Sequence, residues 1–334
     1  MHNRKFTVYV IFLIAAVLLT ILISFLIGNY KITLTDFFNT VINKVTGKAS
    51  TNKIKDTIIF SVRFPRIIMS LFVGMGLSVA GISMQGIFKN PLVSPHILGV
   101  SAGAGFGAAL GILLFNSFVY VQLSAFVFGI ISVGLTCFLG TRNKSGEVYS
   151  MVLSGIIVGA FFSALLSLLK YVADPEAELP SIVFWIMGSF SGTGVRELTI
   201  GLPVIIVSTF VLFSFRWKLN ILSLSEEEAH SMGLKVKKDR AIIIIFSTLI
   251  TAVAVGVCGI ISWVGLVIPH LSRMLVGVDN RKSMVVAALT GGVYLMIIDN
   301  ISRSITESEI PLSILTAIIG APFFAYLLGK KRVV

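Results

Sequence analysis

Charge is scarce in this chain: of 334 residues, only 13% are Asp, Glu, Lys or Arg. A soluble domain carries roughly 25%, so a water-soluble globule of this length is excluded. Cysteine is nearly absent too. Cys137 and Cys258 both sit inside apolar runs and read as packing residues, which excludes a disulfide framework and a cysteine metal site. The four histidines, His2, His96, His230 and His270, have no Cys, Asp or His at helical ligand spacing, so no metal is implied. A phosphate-binding G-x-x-x-x-G-K-[ST] loop is missing: Gly47-Lys48 and Gly329-Lys330 lack both the upstream glycine and the following Ser or Thr. Without a catalytic constellation or a cofactor motif, the chain is not read as an enzyme, and any ATP hydrolysis linked to it falls to another polypeptide.

What is abundant is apolar sequence, 56% of the chain. Runs of about 20 residues, enough to cross about 30 Å of hydrocarbon, recur along nearly its whole length. This predicts an all-α polytopic membrane protein forming a single transmembrane domain over residues 1–334. A β-barrel is excluded because its strands would alternate in short segments. Ten spans are expected, near 6–28, 67–88, 97–115, 119–140, 148–172, 198–215, 241–262, 264–276, 283–304 and 311–329. The eighth is short and reads as a partial or tilted helix, with its ends covered by neighbouring protein. The first run, Phe6 to Ile27, is too long for a signal-peptide core and lacks a small-residue cleavage site, so it is expected to stay as the first helix.

A net charge of +12 could suit nucleic acid, but the better reading is that Lys and Arg mark cytoplasmic loops. With both termini in the cytoplasm, that side takes 17 of the 27 basic residues, Lys89, Arg142, Lys144, Arg216, Arg240, Arg281 and Lys330 among them. The opposite face takes the acidic loops Asp174-Pro-Glu-Ala-Glu178 and Glu307-Ser-Glu309. One segment disagrees: residues 29–62 lie outside yet carry Lys31, Lys44, Lys48, Lys53 and Lys55, as long loops are free to do.

Several polar stretches invite a role. Arg63-Phe-Pro-Arg66 stands at the mouth of span two and Arg303 at the end of span nine. These arginines either snorkel to lipid headgroups or form an external patch for acidic groups on a partner. Asp299 is placed to hold Arg303 as an i,i+4 pair. Ser225-Glu-Glu-Glu228 forms a capping box and Gly233 suits a helix stop, predicting a short helix that is either a solvated connector or a lever seated in a partner's groove. The glycines of Gly99 to Gly111 suit close helix packing. Leu92-Val-Ser-Pro-His96 and Leu266-Val-Ile-Pro-His270 share the pattern L-V-x-P-H, a faint sign of repeats near 63–172 and 241–329, inverted if an odd number of crossings separates them.

Ordered blocks then carry a resemblance. They are Arg63-x-Pro-Arg66, Gly81, Gln85, Asn90-Pro-Leu92, Pro95, Leu98-Gly99 and Gly103-Ala104; Leu219-Asn-x-Leu222 with Glu227, Ala229 and Gly233; Gly265-Leu-Val-Ile-Pro-His270 with Arg273, Gly277 and Asp279; and Asp299, Arg303, Glu309-x-Pro311, Thr316-Ala317 and Gly320-Ala-Pro-Phe323. Over essentially its full length the chain resembles the permease subunits of bacterial type II ABC importers, the FecCD-like family serving iron-siderophores, haem and cobalamin. That resemblance implies about ten transmembrane helices in the cytoplasmic (inner) membrane. It also implies a second permease subunit (an identical copy or a close paralogue), two ABC ATPase subunits, and an extracytoplasmic binding protein that delivers the solute. On the same ground Arg63, Arg66 and Arg303 would meet acidic residues of the binding protein. Ser225, Glu226, Glu227, Glu228, Ala229 and Gly233 would couple to the ATPase, and a turn at Val148, Tyr149 and Ser150 would belong to the cytoplasmic gate. Departures are local: Ser262-Trp263 replaces the usual Gly-Phe, while Ser225 and Ser313 stand in place of common glycines. The alternative is an ion-coupled secondary transporter without an ATPase, with Asp299 its clearest intramembrane carboxylate.

Overall fold

A computed structural model describes residues 2–48, 52–115, 117–142, 147–306 and 308–329, and these are helical with no strand among them. In order the elements are α1 (His2–Leu26), α2 (Leu34–Val45), α3 (Lys53–Asp56), a π-helical stretch (Thr57–Arg63), α4 (Phe64–Phe88), a 3-10 turn (Pro95–Leu98), α5 (Val100–Leu114), α6 (Phe118–Thr141) and α7 (Glu147–Val172). They continue with α8 (Glu178–Met187), α9 (Val195–Ser214), α10 (Arg216–Leu222), α11 (Glu226–Ser231), α12 (Val236–Cys258), α13 (Val264–Val276), α14 (Asn280–Ser302) and α15 (Leu312–Gly329). Seven helices are long and apolar enough to cross a membrane, and α5, α8, α13 and α15 are shorter apolar helices. Each of the ten expected spans falls on one of these.

The centre of the bundle is α4. Its apolar stretch is buried nearly throughout, whereas few residues of α1 are fully buried. Glycine makes that centre possible at two crossings. A Cβ at Gly81 would lie 2.1 Å from the Gly265 carbonyl oxygen of α13, and one at Gly74 would lie 2.2 Å from that of Gly291 in α14. The helices therefore touch backbone to backbone, the close approach that small residues permit in membranes. The glycine-rich α5 meets α6 in the same way, with Gly103 and Gly107 facing the Phe128 and Ser124 carbonyls.

Three expectations are corrected. The second span does not begin at residue 67: α3, the π-helical stretch and α4 run on as one rod from Lys53 to Phe88. The widened π turn sits just before Pro65, whose missing N–H removes a donor from the ladder, and Phe64 N–H bonds instead to Ile59 O. Residues 29–62 are accordingly not a plain loop. Thr33 and Asp36 close a capping box on α2, and Lys55 pairs with Asp36, so part of the basic excess there is neutralised locally. The segment at Val148, Tyr149 and Ser150 is the first turn of α7 rather than a loop turn. Tyr149 is exposed and Ser150 buried; the Val148 side chain lies outside the described residues, as do Lys144, Glu307, Lys330, Lys331 and Arg332.

Helix α8 was not expected. Asp174 accepts the backbone N–H groups of Glu176 and Ala177 ahead of it, and its end turns at Gly188 to meet α12 and α15. Ten residues with Pro180 near the start offer too short an apolar run to count as a span. The two L-V-x-P-H copies also differ in conformation: Pro95 opens a 3-10 turn, while Pro269 lies inside α13.

Candidate functional site

Two polar clusters stand at opposite ends of the bundle. The first gathers at the C-terminal ends of α1 and α14 and the upper part of the α4 rod. Arg66 donates to both oxygens of Asp299 (2.9 and 3.1 Å from Nε, 2.8 Å from Nη2) and to both oxygens of Glu309 (2.6 and 2.9 Å). One guanidinium thus holds two carboxylates in fork geometry, and Ser189 donates a further bond to Glu309. Arg303 sits 3.7 Å from Asp299, the i,i+4 pair read from sequence, but the tighter partner of Asp299 is Arg66, 233 residues away.

Arg63 and Arg303 do something different: they close the end of α1. Arg63 donates to the carbonyls of Phe25 and Tyr30, and Arg303 to those of Ser24 and the Asn300 side chain. Asn300 in turn donates to Ser24 Oγ at 2.8 Å. The last carbonyls of a helix have no partner within it and carry its negative pole, so cations suit them. The end of α1 is thus held by charge as well as by apolar packing, since Phe25 is buried against Ile59, Ile67 and Met296. All three arginines are at most 5% exposed, so the exposed electropositive patch expected at this position is not present. The guanidiniums face inward because Asp299, Glu309 and the α1 carbonyls supply partners that water would otherwise provide.

The second cluster surrounds α10 and α11. Ser225 Oγ accepts Glu228 N–H at 3.2 Å and Glu228 Oε2 accepts Ser225 N–H at 2.9 Å, the reciprocal pair expected from the sequence. Gly233 takes φ +82°, the left-handed conformation that stops the helix. Ala229 is buried beneath the turn, while Glu226, Glu227 and Glu228 remain exposed. The short helix is tied to its neighbours: Arg240 of α12 pairs with Glu226 at 2.9 Å, and Lys89 beyond α4 donates to the Leu224 carbonyl. The bond from Arg240 holds the Glu226 carboxyl below the ordinary glutamate range, and the bonds from Ser225 do the same for Glu228.

Sequence reasoning missed how its own blocks meet. Asn220 donates to Asp279 at 2.8 Å and accepts Asn280 N–H at 2.9 Å, joining α10 to the start of α14. Arg273 of α13 donates to Gln85 of α4. Each pair joins residues from separate matched blocks, and polar residues recurring near span ends were the available signal. Tyr149 and Ser150, in the first turn of α7, take no part in either cluster.

Comparison with known proteins agrees with this architecture. The molybdate import system permease protein MolB of Haemophilus influenzae is 40% identical over 314 residues, covering 94% of this chain and 93% of that one. The cobalamin import system permease protein BtuC of Halobacterium salinarum is 36% identical over 83% of this chain and 74% of its own. Among solved structures, an inward-facing conformation of a metal-chelate type ABC transporter superposes with a TM-score of 0.86 at 39% identity, covering 96% of this chain and 98% of that one. The model of the FecCD transport family matches residues 16–330, and the chain belongs to that family of ABC transporter permeases.

Proposed function

We propose that this chain is the membrane-spanning subunit of an ATP-driven importer that carries a ferric siderophore, or a related chelate such as haem or a corrinoid. It works beside a second permease subunit and two ATPase subunits, and takes its solute from a separate extracytoplasmic binding protein. The observation that carries this reading is α11: a six-residue capped helix whose three glutamates project from the bundle while Arg240 and Lys89 tie it to α12 and α4. A partner that moves α11 pulls on the central rod, and the rod meets α13 and α14 backbone to backbone. Such a device transmits a state without chemistry of its own; it works because the two conformations of the permease bind the partner's states unequally. Both termini and α11 lie on the cytoplasmic side of the bacterial inner membrane in this reading. The start of α7 at Val148, Tyr149 and Ser150 is assigned to the gate beside them.

Docking of the binding protein is assigned to the opposite end, with Arg63, Arg66 and Arg303 acting through the surface they hold. Buried as they are, they fix the α1 terminus and the loop bearing Glu309, and those segments form the rim a partner would meet. An ion-coupled transporter would need a carboxylate free to exchange a cation. Asp299 is engaged by two arginines, which argues against that use.

The molybdate permease at 40% identity favours a second reading of the cargo, a small oxyanion. Uptake into proteoliposomes holding the permease, its ATPase and its binding protein separates the two. ATP-dependent accumulation of labelled ferric chelate, haem or corrinoid, unaffected by excess molybdate, is expected. Accumulation of molybdate alone would transfer the assignment to oxyanions, and no ATP-dependent uptake of either would sink the importer reading.

A further inference from the structure

One cavity has no part in either cluster. Between α6, α9 and α12 lies a space of about 460 Å³, within the range of roughly 300–1,000 Å³ typical of small-molecule sites. Its walls are apolar side chains, Leu123, Phe126, Ile200, Val204, Val253 and Val257. Leu123 and Ile200 are 54% and 63% exposed, so the cavity is a groove open to the membrane side of the bundle. One end is polar: Gln122, Arg196 and Glu197 line it. Arg196 lies in the first turn of α9, the level at which a long cationic side chain meets lipid phosphate. From Arg196 to Val204 is eight residues, about 12 Å of helix, which makes the groove a headgroup end followed by a slot for the upper part of an acyl chain.

Two further details narrow the occupant. The Nε2 group of Gln122 is buried without a hydrogen-bond partner, a costly state for an amide that turning this side chain toward the groove would relieve by meeting a ligand oxygen. Glu197 accepts Gly194 N–H through Oε2 at 2.9 Å, and a carboxylate has a second oxygen to offer. Arg196 forms no ion pair among the described residues. A cation and an anion therefore line the polar end of an apolar slot, with an unpartnered neutral donor in its wall. A purely anionic lipid would leave Glu197 facing like charge, and a choline headgroup has no N–H to give it.

We propose that this groove is a binding site for an ethanolamine phospholipid. Arg196 takes the phosphate, Glu197 the primary ammonium and Gln122 an ester carbonyl, while the walls bury the chain. The inference rests on the membrane-embedded fold and not on the identity of the transported solute.

Native mass spectrometry of the intact full-length chain in detergent tests it, with dioleoyl phosphatidylethanolamine, phosphatidylcholine and phosphatidylglycerol offered in turn. Retention of the ethanolamine lipid at least about five-fold above the other two is expected, as one good charge-assisted bond supplies. Arg196→Ala and Ile200→Trp should each lower that retention by a similar factor. Ile200 is an exposed wall residue, so its replacement fills the slot without disturbing the core. No ethanolamine adduct, equal retention of all three lipids, preference for the glycerol headgroup, or an adduct unchanged in Ile200→Trp would each overturn the proposal.

Discussion

At the α1–α14 end, three arginines and Asp299 are buried together with Glu309 half-buried at their edge; at the α10–α11 end, three consecutive glutamates stand in solvent around one capped turn. Both ends use the same few residue types. They differ in what the charges are spent on. Arg66, Asp299 and Arg303 have side chains at most 6% exposed, and each is the other's substitute for solvent. Glu226 is 61% exposed, so water screens its pair with Arg240 from the carboxylate side, although the Arg240 side chain is buried. Inward charge builds the frame, while outward charge stays available to a partner.

The sharpest break of that contrast comes from removing one member of the buried set. Arg66→Ala leaves Asp299 buried without its main cation, a loss on the order of 3–5 kcal/mol. Thermal unfolding of the detergent-solubilised chain should show it as a large fall in midpoint, with part of the loss recovered by adding Asp299→Asn. A midpoint unchanged by Arg66→Ala would mean that water reaches the cluster and that the two ends do not differ. Arg303→Ala should cost less, about 1–3 kcal/mol, because it removes bonds to Ser24 O and Asn300 but spares the Arg66–Asp299 pair. Its signature is local: faster hydrogen exchange at the C-terminal turn of α1, with α4 unaffected.

The exposed end should respond in the opposite sense. Replacing Glu226, Glu227 and Glu228 together with Lys should change stability by about 1 kcal/mol or less, yet separate ATP hydrolysis from solute uptake in the reconstituted complex. Normal coupling in that variant would leave α11 a solvated connector.

How much of this was legible beforehand follows from the range of each interaction. The helices at the ten expected positions, seven of them long enough to cross a membrane, could be read because a crossing needs a continuous apolar run, a property of adjacent residues. The Ser225–Glu228 capping box could be read for the same reason, its two partners being three residues apart. Arg66 looked like an exposed charge because its partners, Asp299 and Glu309, lie more than 230 residues away, and no local pattern signals that they fold onto it. Arg303 and Asp299, four apart, were paired correctly, though as the weaker contact. The backbone crossings at Gly81–Gly265 and Gly74–Gly291 were likewise out of reach, since a glycine announces room for a neighbour without naming it. Helix α8 was missed for want of length, and the extension of α4 because polar Lys53, Lys55 and Asp56 mask a rod that leaves the membrane.

The smallest effect tests the α11 cap itself through pH. The Glu226 and Glu228 carboxyls are held below the ordinary glutamate value of 4.5, first by the bond from Arg240 and first by the bonds from Ser225, respectively. A depressed carboxylate pKa adds stability above the unfolded value, and that stability is lost as pH falls through the folded value. Protection factors for the α11 amides, corrected for intrinsic exchange, should therefore be flat from pH 7 to about 5 and decline below the ordinary glutamate range. Ser225→Ala removes the acceptor for Glu228 N–H and the donor to its carboxylate, weakening the turn by about 1 kcal/mol and moving the decline to higher pH. If the wild-type and Ser225→Ala profiles coincide, the capping box does not hold α11, and the rigid tether on which the lever reading depends reduces to Arg240 and Lys89 alone.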